Sequence, residues 1–256
     1  MILLIDVGNT NITAGFFEKG FTNILHLKTS QRVQTISEIK RVISHYGMKV
    51  PHGTVMCSVV PRSASFLSRA IKRNFGYEPL QVRHDLKMNI KLCIPNPGEL
   101  GADRIANAVA AHKIYNTHTI VVDFGTATTF CYITSSGEYR GGLIMPGVGI
   151  SADTLSEKTA RLPRISLKAP ENVIGNTTED NILSGLVLGH AGAVERIIKE
   201  MKKEIIFRYK KNNKTPIKVV ATGGFGPLIT PYVRSIKVLN PHLTLQGLKI
   251  IYDLNV

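Results

Sequence analysis

Acidic residues are scarce in this sequence, cysteines are few, and long apolar runs are missing. No apolar stretch of the 256 residues approaches the roughly 20 needed to span a bilayer, which excludes an integral helical membrane protein. The amino-terminal Met1-Ile-Leu-Leu-Ile-Asp6 lacks a basic leading region and soon meets an acid, so it does not read as a signal peptide. Cys57, Cys93 and Cys131 stand singly, with no Cys-x-x-Cys spacing. That argues against a disulfide scaffold or zinc site and for thiols that serve as small core hydrophobes in a reduced cytoplasmic compartment. No low-complexity linker divides the chain.

Hydrophobic residues at 43% against 20% charged give the balance of a globular protein with a substantial core. The length, about one and a half times that of a typical domain, suggests two lobes. Lys and Arg total 32 against 18 Asp and Glu, a formal net charge of +14. Such an excess admits nucleic acid, anionic lipid or anionic small molecules as partners. Its densest piece is Lys199–Lys214, where Met201, Ile205 and Ile206 are expected on one helical face with the charges on the other. A solvated helix end explains this segment, and no aromatic or loop signature of nucleic-acid binding accompanies it.

Two segments share one pattern. Ile2-Leu-Leu-Ile5 runs into Asp6-Val-Gly-Asn-Thr-Asn11 and then apolar Phe16-Phe17. Nearly half the chain later, Ile120-Val-Val-Asp123 runs into Phe-Gly-Thr-Ala-Thr-Thr129 and then Phe130-Cys-Tyr-Ile133. This is an internal duplication, and it predicts two similar lobes facing one another. A strand followed by a tight glycine turn lets backbone N–H groups approach anionic oxygens, with Thr and Asn adding donors. The aspartate at the strand end would hold a cation, or cation-bound water, against a phosphate. One Asp-x-Gly turn is usually only a hairpin; two hydroxyl-rich copies at half-chain spacing point to a phosphate cradle.

Between the cradles, apolar periodicity predicts helices over 30–46 and 63–74 and strands over 55–60, ended by Pro61, and 79–82. A turn-rich Cys93–Gly98 leads into an Ala-rich helix over 99–112. Beyond the second cradle come the Gly-dense Gly141–Gly147, a long helix over 179–208 and a strand over 218–222 delivering Gly223-Gly224. The Gly-dense piece is read as letting substrate or a partner subunit approach the backbone, or else as a packed turn between strands.

In order, Asp6–Asn11, Gly101-Ala-Asp-Arg104, Asp123–Thr129, Gly141–Gly147 and Thr222-Gly-Gly224 resemble the motifs of type III pantothenate kinase, a member of the acetate kinase, sugar kinase, Hsc70 and actin superfamily. The resemblance covers residue 2 to about residue 250. It implies an α/β fold of two ribonuclease H-like lobes, 1–115 and 116–256, a duplicated actin-like ATPase fold with the active site in the cleft between them. It also implies ATP-dependent phosphorylation of pantothenate, the entry step of coenzyme A synthesis, by a homodimer needing Mg²⁺ and a monovalent cation, K⁺ or NH₄⁺. On that resemblance Asp6, Val7, Gly8, Asn9, Thr10, Asn11, Ile12 and Thr13 would hold ATP, with Asp6 acting on Mg²⁺ through water. Asp123 would coordinate the monovalent cation and Thr126 would touch ATP. Gly101, Ala102, Asp103, Arg104 and Thr178 would line the substrate side, with Asp103 as catalytic base. Gly223 and Gly224 resemble the nucleoside-side turn.

The residues read independently agree in part. Asp103 falls in the first turn of a predicted helix, where the dipole would keep a carboxylate ionised and ready to accept a hydroxyl proton. Arg104 suits an anionic group of the substrate through its guanidinium fork. Thr178, beside Thr177, reads equally as a helix N-cap ahead of Glu179. The chain departs from the family at Cys93–Pro97, which lacks the usual tyrosine before Asn-Pro, and at Asn176, where the family usually has lysine. The homodimer is further suggested by Leu186, Val187, Leu188, Gly189 and Ala191, an apolar or small-residue surface on most sides of one helix. The alternatives are a related small-molecule kinase and a transcription accessory factor resembling this family; neither nucleic acid nor membrane is the expected partner.

Overall fold

A computed structural model of the protein describes residues 1–209 and 216–256. The chain forms two compact units, Met1–Ile114 with His242–Val256, and Tyr115–Pro241.

The first unit starts with three antiparallel strands, β1 (Ile2–Val7), β2 (Asn11–Phe17) and β3 (Phe21–Lys28). Helix α1 (Arg32–His45) returns the chain to β4 (Gly53–Ser58), and α2 (Pro61–Phe75) to the short β5 (Leu80–Gln81). Strand order is β3-β2-β1-β4-β5, with β4 parallel to β1 and β5 parallel to β4. The two-residue β6 (Lys91–Leu92) precedes α3 (Ala102–Tyr115). Because β1 is covered on both faces, it reads as a continuous apolar run rather than an alternation. Leu3, Ile5 and Val7 pack with Ile36 and Ile39 of α1 and Leu67 and Ile71 of α2. Ile39 is fully buried there, so Ile39→Ala would cost about 2–5 kcal/mol.

The second unit repeats the plan. β7 (His118–Phe124), β8 (Ala127–Ile133) and β9 (Glu138–Pro146) are antiparallel neighbours. After α4 (Val148–Lys158) and α5 (Thr178–Tyr209), β10 (Ile217–Thr222) returns parallel to β7. The short α6 (Gly226–Ile229) then leads to β11 (Val238–Leu239), and the strands of this unit lie in the order β11-β10-β7-β8-β9. The duplication read from the two Asp-x-Gly segments therefore extends to the topology: hairpin, third antiparallel strand, helix, parallel strand, proline-started helix, parallel strand. Pro61 belongs to α2 rather than merely ending a strand, since a first-turn position has no use for its missing N–H.

Three expectations need correction. The division between lobes falls next to residue 115, but the chain end does not stay with the second lobe. Helix α7 (Leu243–Asn255) packs on the first unit, burying Leu243, Leu248 and Ile251. Gly247 is set so closely on the Ala106 carbonyl of α3 that a Cβ would overlap it.

The Gly-dense segment is strand, not turn. Gly142 sits against the Phe130 carbonyl of β8 with no room for a side chain, so its glycine serves sheet packing.

On α5, Val187, Ala191, Val194 and Ile198 are buried in the unit's own core, so its apolar face is covered within the unit. Gly185, Gly189 and Gly192 are exposed. Ile205 is buried but its neighbour Ile206 is exposed, so only part of the expected face is apolar and inward. The rest of the basic segment, 210–214, lies outside the described residues. Among the described residues no helix is long and apolar enough to cross a membrane.

Candidate active site

The first cradle is a hairpin whose register fixes what its residues can do. Asp6 pairs with Thr13 and Val7 with Ile12 across β1 and β2. Val7 and Ile12 are fully buried, so they anchor the turn and can offer a ligand only backbone. The Gly8 N–H donates to the Asn11 carbonyl at 2.9 Å, closing the turn, so this amide serves the hairpin. Thr29, buried behind it, donates its hydroxyl to the Gly8 carbonyl at 2.7 Å and its N–H to the Thr10 carbonyl at 2.9 Å. Asn9, Thr10 and Asn11 stand exposed at the tip, three donor-bearing side chains on a braced loop. Thr29 has no motif signal; it becomes visible only when β3 is folded back beside β2.

Beside this hairpin lies a cluster that sequence reading divided among separate motifs. The parallel register of β1 and β4 sets Cys57 opposite Asp6, and the Cys57 thiol donates to Asp6 Oδ1 at 3.2 Å. Cys57 is fully buried, as a core residue should be, yet its partner is a carboxylate. Burial pushes the thiol well up, and the charges of Asp6 and then Asp103 raise it further. Asp103 is thus close enough to Cys57 to be felt by it, and the thiol stays protonated.

Asp103 lies in the first turn of α3, half-buried, and its Oδ1 accepts the Arg104 amide hydrogen at 2.8 Å. Burial raises it above the usual carboxylate range; the Arg104 amide and then the Arg104 charge pull the other way and do not win. The helix start is expected to keep Asp103 ionised; desolvation works against that and outweighs the Arg104 contributions. A raised carboxylate binds a proton more tightly, which suits a base. A Cβ on Gly101 would lie 2.5 Å from Asp103 Oδ1, so the glycine keeps open the space the carboxylate occupies. Ala102 and Arg104 complete this half-buried segment.

In the second unit, Asp123 pairs with Thr129 across the equivalent hairpin and with Thr222 of β10. Gly223, at φ +91°, turns directly over Asp123; a Cβ there would lie 2.5 Å from Asp123 Oδ1. The Phe225 N–H donates to the Phe124 carbonyl at 3.0 Å, closing the Gly223-Gly224 turn onto the hairpin. The carbonyls of Gly125 and Thr126 crowd Gly147, leaving no space for a side chain. A buried pair missed in the sequence, Thr128 and His190, joins this hairpin to α5 with Oγ1 and Nε2 3.0 Å apart. Burial lowers the histidine, which favours the neutral ring.

Thr178 is the first residue of α5 and is exposed. The capping role belongs to its neighbour: Thr177 Oγ1 accepts the Asp180 N–H at 3.1 Å and donates to the Asp180 carboxylate at 2.7 Å. Within the units, then, Asp6 and Asp103 come together around Cys57, while Asp123, Thr126 and Gly223 meet at the second hairpin. Among the described residues no group of three or more His, Cys, Asp and Glu side chains could hold a metal. A divalent ion at Asp6 would draw its remaining oxygen ligands from nucleotide phosphates and water, as Mg²⁺ at phosphate sites commonly does.

Similarity to known structures runs over almost the whole chain. A Campylobacter jejuni protein described as a conserved Baf family transcriptional activator matches with a TM-score of 0.57 at 20% identity, covering 98% of this chain and 97% of that one. Ethanolamine utilization protein EutJ from Carboxydothermus hydrogenoformans gives 0.57 at 15%, covering 97% and 89%. The activator of 2-hydroxyisocaproyl-CoA dehydratase from Clostridium difficile, solved with bound ADPNP, gives 0.52 at 9%, covering 99% and 95%. At such identities the likeness establishes the fold, the duplicated ribonuclease H-like fold of actin-like ATPases and sugar kinases. The model of one family, type III pantothenate kinase, matches residues 2–200. That span holds both hairpin cradles, the Gly101–Arg104 segment and Thr178, and the chain belongs to the type III pantothenate kinase family.

Proposed function

We propose that this protein transfers the γ-phosphoryl group of ATP to the primary hydroxyl of pantothenate, forming phosphopantothenate and ADP. The observation that carries the reading is the pairing of a desolvated, proton-seeking Asp103 with the Asp6 hairpin in one unit. Phosphoryl transfer asks little covalent chemistry of a protein; it asks for positioned phosphates, neutralised charge and an oriented nucleophile. Asn9, Thr10 and Asn11 would donate to the ATP phosphates from the braced tip. Asp6 would hold Mg²⁺ through water, and the ion would neutralise phosphate charge. Asp103 would accept the hydroxyl proton as the alcohol oxygen bonds to the γ-phosphorus and the bond to ADP breaks. Arg104 would hold the pantothenate carboxylate, and Thr178 would add a contact. Asp123 would bind K⁺ or NH₄⁺ beside Thr126 on the nucleotide side. The enzyme would act as a cytoplasmic homodimer.

The test is a product assay with ATP, Mg²⁺, K⁺ and pantothenate. Phosphopantothenate formation is expected; hydrolysis of ATP without it, or transfer to a sugar instead, would overturn the substrate assignment. A second reading, a nucleic-acid-binding accessory factor, draws on the net charge of +14 and the Campylobacter likeness. It predicts DNA binding whose affinity falls steeply with salt.

A further inference from the structure

The buried thiol beside the first hairpin has no part in the mechanism above, yet it is placed where it bears on it. We infer that Cys57 is a positioning residue for phosphoryl transfer: its S–H fixes the direction of the Asp6 carboxylate, and thereby the ion-facing oxygen.

Three observations carry this. Cys57 lies on the inner strand β4, in parallel register with Asp6, and is fully buried, so its side chain has little freedom. Its Sγ is 3.2 Å from Asp6 Oδ1, within range for a thiol donor. The thiol is the donor of the pair, since a carboxylate oxygen only accepts. A reactive cysteine needs the opposite surroundings, electropositive and accessible, so this is not a nucleophile or a redox sensor.

The second unit has the same strand register with a different residue. Asp123 is paired in register with Thr222, again a buried residue carrying a short side chain with one donor hydrogen. Both hairpin aspartates thus face a donor-bearing residue on the strand parallel to theirs. Carboxylates that hold ions are commonly oriented by such outer partners, whose loss typically costs 10–100-fold in metal affinity or activity.

The inference rests on the proposed role of Asp6 toward Mg·ATP, and the experiment separates the two. Calorimetry measures ATP binding with and without Mg²⁺ for the wild type, Cys57→Ala and Cys57→Ser, with thermal melts alongside. The expected result is Mg·ATP binding weakened roughly tenfold in Cys57→Ala, unchanged Mg²⁺-free binding, and recovery to within about threefold in Cys57→Ser, which keeps a donor. Equal Mg·ATP affinity in the Ala variant would overturn the inference and leave the Asp6 assignment standing. A Ser variant that folds but binds as poorly as Ala would also overturn it, since packing rather than donation would then be at stake. Because Ser is the milder change, it serves where Ala fails to fold. Absence of Mg²⁺-dependent binding in the wild type would remove the Asp6 assignment and this inference together.

Discussion

Asp103→Asn distinguishes a base from an ordinary helix-start acid, because the two roles shift stability in opposite directions. Asn is close to isosteric with Asp, and its Oδ1 can still accept the Arg104 amide hydrogen now made at 2.8 Å. What it loses is the ability to take a proton. Removing a positioned base should lower kcat by about 10²–10⁴, or roughly 3–5 kcal/mol of barrier at 1.36 kcal/mol per decade. ATP binding should survive.

Stability provides the second arm. Burial raises Asp103 in the folded protein, so folding favours its protonated form. Below the unfolded value, about 4, both states are protonated and nothing is lost. As pH rises through the raised folded value, a penalty for burying the ionised group builds up and then stays constant. Asp103→Asn should therefore melt at or above the wild type near neutral pH, with the difference vanishing near pH 4. An acid present only for the helix dipole would show the reverse, a loss of about 0.3–1 kcal/mol at neutral pH. Turnover by ADP release and thermal melts at both pH values decide the matter. Near-normal turnover in the folded variant, or a clear loss of stability at neutral pH, would refute the assignment.

Gly101→Ala should push the Asp103 carboxylate aside, since the new Cβ would lie 2.5 Å from Oδ1; displacement of about 1 Å can cost on the order of 10² in kcat. Unchanged kcat would show that this space is not needed. Gly223→Ala should lower stability by about 1–2 kcal/mol or more from its positive φ alone, measured by chemical denaturation. It should also weaken ATP binding, because the Cβ crowds Asp123; intact stability and affinity would argue against a tight turn. Replacing K⁺ by Na⁺ at constant Mg²⁺ should depress turnover, and Asp123→Ala should abolish the difference between the ions; equal rates in the two salts for the unaltered protein would count against the cation site. Leu143 and Ile144 of β9 are exposed, so Ile144→Asp should shift a homodimer toward monomer in sedimentation at micromolar concentration. A fully active wild-type monomer would remove the dimer.

The hairpins were legible because an apolar run, an aspartate and a glycine turn are all local, and because they occur twice. The long helices were legible from periodicity, with ends misplaced by a few residues. β3 was not: Phe21–Lys28 lies at the sheet edge, where most side chains are half-buried and the polar pattern carries no signal. α7 was missed, and its place in the first unit depends on contacts across more than half the chain, such as Gly247 on Ala106. Cys57 illustrates the general limit. Its burial followed from its apolar neighbours, but the partner of its thiol depends on the register of two strands some fifty residues apart. The Asp103 shift escaped for a related reason. Sequence shows the helix start, whereas desolvation comes from the fold around it.

Duplication explains why the chain has two such aspartates, and divergence explains why they need not do the same work. Asp6 receives a hydrogen bond from the Cys57 thiol, which favours a carboxylate held in one direction. That suits a small divalent ion with strict octahedral demands, reached through water. Asp123 lies under Gly223, with Gly125 also close by, so side-chain bulk is absent on both sides. On the proposed assignment, the Asp123 carboxylate would hold the larger monovalent ion there. Exchanging the features tests this division directly. Thr222→Val should remove the hydroxyl at the Asp123 pair while leaving Mg²⁺-dependent binding at Asp6 intact, so the ratio of K⁺- to Na⁺-supported turnover should change and Mg·ATP affinity should not. A variant in which Mg·ATP affinity falls and the ion ratio holds would overturn this division of work.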